Sequence, residues 1–126
     1  MYSYTREVKL GYEEAIAKIT EELKKEGFGI LTEIDVKATL KKKLDVDFPE
    51  YKILGACNPP FAYKALQAET ELGLMLPCNV IVYRKDGKTF AASILPTTTM
   101  KTIGNPKLEG IAREVEAKLK KAVDAI

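Results

Sequence analysis

The sequence predicts a single domain, residues 1–126, that contains both helices and strands. The chain is 46% apolar and 30% charged, proportions that are typical of one soluble globular domain. Across residues 108–126 the apolar side chains recur at helical spacing, which predicts an amphipathic C-terminal helix. Residues 78–83 are rich in Val and Ile, and an Asp-Gly turn at positions 86 and 87 leads from them to residues 89–95. Such a turn predicts two antiparallel strands.

The first third of the chain predicts a strand followed by a helix. Residues 4–10 alternate between apolar and polar side chains in their second half, as a short strand does. From Tyr12 onward the apolar side chains fall on one helical face, at Ala15, Ile16, Ile19 and Leu23. Gly27 is expected to end this helix, because glycine readily adopts the left-handed conformation that follows a helix.

Residues 28–36 predict a second strand with one buried face. Side chains alternate along a strand, so one face is expected to carry Phe28, Ile30, Ile34 and Val36, and the other Glu33 and Asp35. The first of these faces is expected to be core. Residues 37–44 then predict a short helix, because two leucines lie one helical turn apart within them.

The middle of the chain predicts a third strand, at residues 51–56, and a second long helix. Asn58 is expected to cap that helix by accepting a hydrogen bond from a free backbone amide, and Pro59 suits the first position of the helix. We expect the helix to continue to about residue 72. Residues 96–106, which include three consecutive threonines, are expected to form an irregular loop.

Three segments, residues 27–36, 51–60 and 76–80, resemble the bacterial and archaeal family known as domain of unknown function 302. The two most specific matches are Cys57-Asn58-Pro59 and Pro77-Cys78-Asn79. The resemblance implies a two-layer α+β fold of the TATA-binding-protein type, in which helices back a curved, mainly antiparallel sheet. It also implies a homodimer. It implies no activity, since the family is uncharacterised.

The composition excludes several classes of function. The chain contains no His, so the imidazole that serves as the base in Ser-His and Cys-His catalysis is missing, as is the commonest ligand of transition metals. The charge balance is +2 without a basic stripe, which argues against nucleic-acid binding. No apolar run is long enough for a membrane span. No apolar segment follows the first residues, which favours a cytoplasmic location.

The two cysteines are the first candidate site. Cys57 is expected just before the start of a helix, where free amides and the helix dipole favour the reactive thiolate. The alternative is that Cys57 is a small buried packing residue. A helix of about 12 to 14 residues that runs back over the sheet would carry the chain about 20 Å, so we expect Cys78 far from Cys57 and no disulfide between them. Cys57 and Cys78 are also candidate metal ligands, although a metal ion would need others.

Glu33 and Asp35 are the second candidate site. Two residues apart on a strand, their carboxylates are expected on one face, about 6 to 7 Å from each other. Such a pair can hold a hard metal ion or share acid and base roles. The alternative is a solvated face that prevents strands from associating edge to edge.

Two functional hypotheses follow from these candidates. The first is a non-enzymatic, homodimeric binding domain that holds a small ligand or a metal ion near Cys57 and Asn58, with Glu33 and Asp35 as further candidate ligand-binding residues. The second is a thiol-dependent redox or nucleophilic activity centred on Cys57, with Cys78 of the same chain or of a partner chain as the resolving thiol. Whether the protein is an enzyme stays open at this point, and so does its ligand.

Overall fold

The computed structural model describes residues 1–126 and has five strands and five α-helices. In chain order the elements are β1 (Ser3–Val8), α1 (Tyr12–Lys25), β2 (Gly29–Asp35), α2 (Val36–Leu44), β3 (Tyr51–Cys57), α3 (Pro59–Ala68), β4 (Cys78–Lys85), β5 (Lys88–Ile94), α4 (Pro96–Ile103) and α5 (Glu109–Asp124). Short 3₁₀ turns lie at Thr70–Met75 and Pro106–Leu108. None of the helices has the length and apolar character to cross a membrane.

The strands form one antiparallel sheet in the order β1-β5-β4-β3-β2. Helices α1 and α5 contact each other and pack on one face of this sheet. The core between the two layers consists of small and branched apolar side chains, among them Leu54, Val80, Val82 and Ala91 from the sheet and Ile19, Leu23, Leu119 and Val123 from the helices. The α+β prediction is therefore confirmed, as are the β4–β5 hairpin and the C-terminal helix.

Helix α1 ends as the sequence predicts, and this end positions the next part of the chain. Gly27 has φ +89°, and the amides of Gly27 and Phe28 donate to the carbonyls of Lys24 and Leu23. This pair of hydrogen bonds is the Schellman motif, which satisfies carbonyls that the helix leaves free. Phe28 and Leu23 are both buried in the core, so the helix end is anchored against the sheet.

Strand β2 contains an irregularity that the sequence did not reveal. Ile30 pairs with Ala56 and Thr32 pairs with Gly55, so Leu31 is an extra residue between the two pairs. Because side chains alternate along a strand, one extra residue moves every later side chain to the other face. Ile30 consequently packs on the core, whereas Ile34 is 48% exposed. The predicted shared face of Ile30 and Ile34 is wrong for this reason.

Residues 96–106 are not the predicted irregular loop. Residues Pro96–Ile103 form helix α4, although threonine is a poor helix former. Pro96 occupies the first helical position, and Gly104 follows the helix with φ +74°. Thr97 donates from its amide and its hydroxyl to Oε1 of Glu116 on α5, at 3.2 and 2.7 Å. This tertiary contact stabilises a helix that its local sequence disfavours.

Candidate ligand cavity

A cavity of about 290 Å³ lies beyond the ends of β3 and β4, between these strands and the helices α3, α4 and α5. We call it the α3 cavity. It is partly open to solvent, and 16 of its 19 lining residues are hydrophobic. The helices contribute Phe61, Ala62, Ala65, Leu66, Pro96, Met100, Ile111, Ala112 and Val115. The remaining wall consists of Phe28, Leu31, Ala56, Cys57, Asn58, Leu72, Leu76, Pro77, Cys78 and Leu108.

Both cysteines line the α3 cavity, so the predicted separation of Cys57 and Cys78 is wrong. Ala56 pairs directly with Cys78 across the β3–β4 ladder, and Cys57 is the next residue of β3. The estimate of 20 Å assumed a helix that crosses the sheet. Instead, α3 ends at Ala68, and a 3₁₀ turn brings the chain back to the end of the sheet that it left. Strand β4 therefore runs antiparallel to β3, and both thiols are free.

The surroundings of Cys78 disfavour its thiolate, and those of Cys57 lack the feature that was expected to activate it. Burial, and secondarily the neighbouring Cys57, raise the pKa of Cys78 to about 11. Cys57 lies just before helix α3 as predicted, but the first two helical residues, Pro59 and Pro60, have no backbone N–H to offer. The cluster of free amides on which the activation of Cys57 depended is therefore mostly absent. This feature could have been read from the sequence.

Asn58 has a different role from the predicted helix cap. Its side chain makes no capping hydrogen bond to α3. Instead, Nδ2 donates to the carbonyl oxygen of Glu26 at 3.0 Å, which joins the end of α1 to the start of α3. Asn58 is only 8% exposed, and no protein group donates a hydrogen bond to its Oδ1. The side chain thus fixes one wall of the α3 cavity and brings a free acceptor to that part of the structure.

Glu33 and Asp35 lie on edge strand β2 and do not line the α3 cavity. Both are exposed. Oδ1 of Asp35 accepts a hydrogen bond from the amide of Ala38 at 2.9 Å and caps helix α2. Asp35 also adds to the rise in the pKa of Tyr12 to about 12, for which burial is the main cause. The structure therefore gives Asp35 a structural partner and does not bring this pair to the cysteines.

No group of three or more Cys, Asp or Glu side chains is arranged to hold a metal ion. Cys57 and Cys78 have no third such ligand beside them. Closed structural zinc sites use four ligands, and one chain supplies at most this pair of thiols at the α3 cavity.

Several cavity residues were not singled out from the sequence. Phe61 and Ala65 lie one turn apart on α3, and Ile111 and Val115 lie one turn apart on α5. This spacing predicts a buried helical face, but it does not tell a packed core from a cavity wall. Met100 was missed because its helix was predicted as a loop.

Comparisons with known proteins agree on one family. Residues 4–126 match the family described as "Domain of unknown function DUF302". The chain is also similar to the crystal structure of an uncharacterized conserved protein DUF302 from Bacillus stearothermophilus. The two are 35% identical, with a TM-score of 0.94 over 99% of this chain and 98% of that chain. No curated protein matches the chain.

Proposed function

This chain belongs to the family described as Domain of unknown function DUF302, and we propose that it is a non-enzymatic binding domain whose α3 cavity holds a small apolar ligand. The observation that carries this proposal is the cavity itself, about 290 Å³ with a predominantly apolar wall. Ligand sites in proteins are mostly apolar clefts of about 300 to 1,000 Å³ with a few polar groups. Here Asn58 and the two thiols supply those polar groups.

The character of the wall favours an apolar occupant over water. A volume of 290 Å³ corresponds to roughly ten water molecules at about 30 Å³ each. Buried waters are stabilised by two to four hydrogen bonds each, and a wall of leucine, phenylalanine and alanine side chains offers few. Replacing such water with hydrocarbon is favourable by about 25 cal/mol for each Å² of apolar surface removed from water.

The alternative function is thiol chemistry at Cys57. The observation that favours it is the position of Cys57 and Cys78 side by side at the α3 cavity. Against it, Cys78 is protonated at neutral pH because its pKa is about 11, and no basic side chain lines the cavity. We therefore favour binding without covalent chemistry. A metal ion is a second candidate for the bound species. The two thiols would be two of its ligands, and another chain would supply the others.

We also propose that the domain, residues 1–126, is a homodimer that associates through the sheet face opposite α1 and α5. An aromatic ladder runs across this face, with ring centroids 6.2 Å apart for Phe48–Tyr51, 5.5 Å for Tyr51–Tyr83 and 5.3 Å for Tyr83–Phe90. Ile53 pairs with Ile81 on the same face. A two-fold contact would bury the same apolar patch on both copies, as the TATA-binding-protein likeness and the dimer implied by the family resemblance would allow.

The dimer is tested by light scattering during size-exclusion chromatography. We expect twice the chain mass of 14.0 kDa for the wild type and the single mass for Ile81→Glu, which places a charge in the centre of the patch. A monomeric wild type would contradict the dimer.

We further propose that the protein is cytoplasmic, because neighbouring thiols that stay free suit a reducing compartment.

The binding proposal is tested with N-phenyl-1-naphthylamine, a neutral probe that fluoresces in apolar surroundings, and its displacement by 1-decanol. The Ala62→Phe variant fills the α3 cavity from a half-buried position of α3. We expect at least a tenfold weaker binding of the probe, or about 1.4 kcal/mol. The matched control is Ala117→Phe, at an exposed position of α5 outside the cavity, for which we expect a change of less than twofold. A wild type that does not bind the probe, or equal binding by Ala62→Phe, would contradict the proposal.

A further inference from the structure

A second, polar cavity lies next to the α3 cavity and, like it, is lined by helices α4 and α5. It has a volume of about 490 Å³ and lies between α4, the 3₁₀ turn Pro106–Leu108 and the first turn of α5. Only two of its nine lining residues, Met100 and Ala112, are hydrophobic, and both also line the α3 cavity. These two side chains therefore form a wall that the two cavities share. We call the second one the α4 cavity.

Helix α4 explains why an apolar and a polar cavity adjoin. Residues one helical turn apart share a face. Pro96 and Met100 line the α3 cavity, whereas Thr97 and Lys101 line the α4 cavity. Helix α4 thus presents neighbouring apolar and polar stripes, one to each cavity. Methionine is unbranched and adapts its conformation to its surroundings, so the boundary at Met100 is made by a flexible side chain.

The charges on the α4 cavity favour an anion. Two cations, Lys101 and Arg113, line it together with one carboxylate, Glu109. Arg113 is 3.7 Å from Glu109, and both side chains are about two-thirds exposed. Lys101 is exposed and forms no ion pair within the chain. Its charge is consequently free for a ligand.

From this juxtaposition we infer that the protein binds a single-chain fatty carboxylate, with its hydrocarbon chain in the α3 cavity and its carboxylate in the α4 cavity beside Lys101 and Arg113. The inference rests on the proposed function and names the class of ligand. A methylene group is about as large as a water molecule, whose share of volume is about 30 Å³, so 290 Å³ accommodates roughly ten carbons. A chain of medium length fills the apolar cavity and reaches Met100.

The test compares sodium decanoate with 1-decanol as displacers of N-phenyl-1-naphthylamine at pH 8 and low salt. The variant Lys101→Ala/Arg113→Gln removes both cations. We expect the dissociation constant of decanoate to rise about 3- to 10-fold, because the variant removes two exposed charge contacts and each such contact strengthens binding by a few-fold. We expect that of 1-decanol to change less than twofold. The matched control is Lys42→Ala/Lys43→Ala, which also removes two exposed cations, on helix α2 outside both cavities, and it should leave both values unchanged.

The outcomes separate this inference from the proposed function. If 1-decanol binds but Lys101→Ala/Arg113→Gln changes the dissociation constant of decanoate less than twofold, the carboxylate site is wrong and the apolar cavity stands. If Lys42→Ala/Lys43→Ala weakens decanoate as much as Lys101→Ala/Arg113→Gln does, the effect is one of net charge and the site is again wrong. If neither compound displaces the probe, both proposals fail. Salt at 0.5 M should weaken decanoate alone, because exposed charges are screened.

Discussion

Replacing Asn58 with alanine should destabilise the protein, because its side chain makes the hydrogen bond that joins the end of α1 to the start of α3. The bond runs from Nδ2 to the carbonyl oxygen of Glu26 at 3.0 Å, and Asn58 is 8% exposed. A hydrogen bond contributes about 1 kcal/mol net, and a buried carbonyl left without a donor costs about 1 to 3 kcal/mol. We therefore expect the free energy of unfolding to fall by about 1.5 to 3 kcal/mol.

Urea and thermal unfolding measure this loss. For a domain of this size 1 kcal/mol corresponds to roughly 4 °C in Tm, so Asn58→Ala should lower Tm by about 6 to 12 °C. The isosteric Asn58→Asp should cost at least as much, because it turns a donor into an oxygen that faces the Glu26 carbonyl. Asn79→Ala is the matched control, since Asn79 is exposed on β4. A loss below about 0.5 kcal/mol for both Asn58 variants, or an equal loss for Asn79→Ala, would refute the structural role of Asn58.

A double-mutant cycle with Gly27 sharpens the same prediction. A Cβ at Gly27 would lie 3.1 Å from Nδ2 of Asn58, and its φ of +89° disfavours any side chain. Gly27→Ala therefore has a conformational cost and a contact cost, and only the first should persist in the Asn58→Ala background. The two substitutions should be less costly together than the sum of their separate effects. Strict additivity would show that the two residues do not touch.

Two further substitutions or modifications test other parts of the structure. In Gly55→Ala the new Cβ would overlap the hydroxyl of Thr32, so we expect a loss of about 1 to 3 kcal/mol in unfolding free energy. The control is Gly29→Ala, whose Cβ would meet nothing within 4 Å. Equal stability of the two variants would contradict the close approach of Gly55 and Thr32. For Cys78 in a Cys57→Ser background, burial, which is the main cause of its raised pKa, is retained, so alkylation by iodoacetamide at pH 8 should be at least tenfold slower than that of a free thiol. The rate should still rise tenfold per pH unit beyond pH 9, the usual pKa of a thiol, and a plateau near pH 9 would show that burial does not raise the pKa.

The elements with strong local patterns were predictable from the sequence. Helix α1 and helix α5 follow the apolar spacing, because each lays one face on the sheet. The Asp86-Gly87 turn is a two-residue hairpin in which both residues have positive φ, as the preferred turn requires. In these cases the local sequence and the tertiary packing favour the same structure.

The predictions that were wrong concern features that depend on tertiary contacts or on single-residue irregularities. The bulge at Leu31 changes which side chains share a face, and a leucine at that position gives no indication of a bulge. Helix α4 depends on the contact between Thr97 and Glu116, which its own sequence does not contain. Pro96 and Gly104 were nevertheless readable as its start and its end.

The candidate site was predictable in part. Cys57, Asn58 and Cys78 do line one cavity. However, helix amides were expected to activate Cys57, Asn58 was expected to cap α3, and Cys78 was expected to lie far from Cys57. The spacing between Cys57 and Cys78 is compatible with a parallel or an antiparallel return of the chain, and the distance between the thiols depends on which one occurs. The cavity itself needs α4 and α5, so no single segment of the sequence contains it.

A titration of ¹⁵N-labelled protein with 1-decanol, followed by NMR, tests the binding function most directly. Our proposal predicts saturable shifts at the amides of Phe61, Ala65, Met100 and Ile111, which surround the α3 cavity, with little change at the hairpin residues Arg84 and Lys88. The same titration of Ala62→Phe should give no saturable shifts. Shifts confined to Tyr51, Tyr83 and Phe90, or none up to the solubility limit of the alcohol, would show that the α3 cavity is not a ligand site.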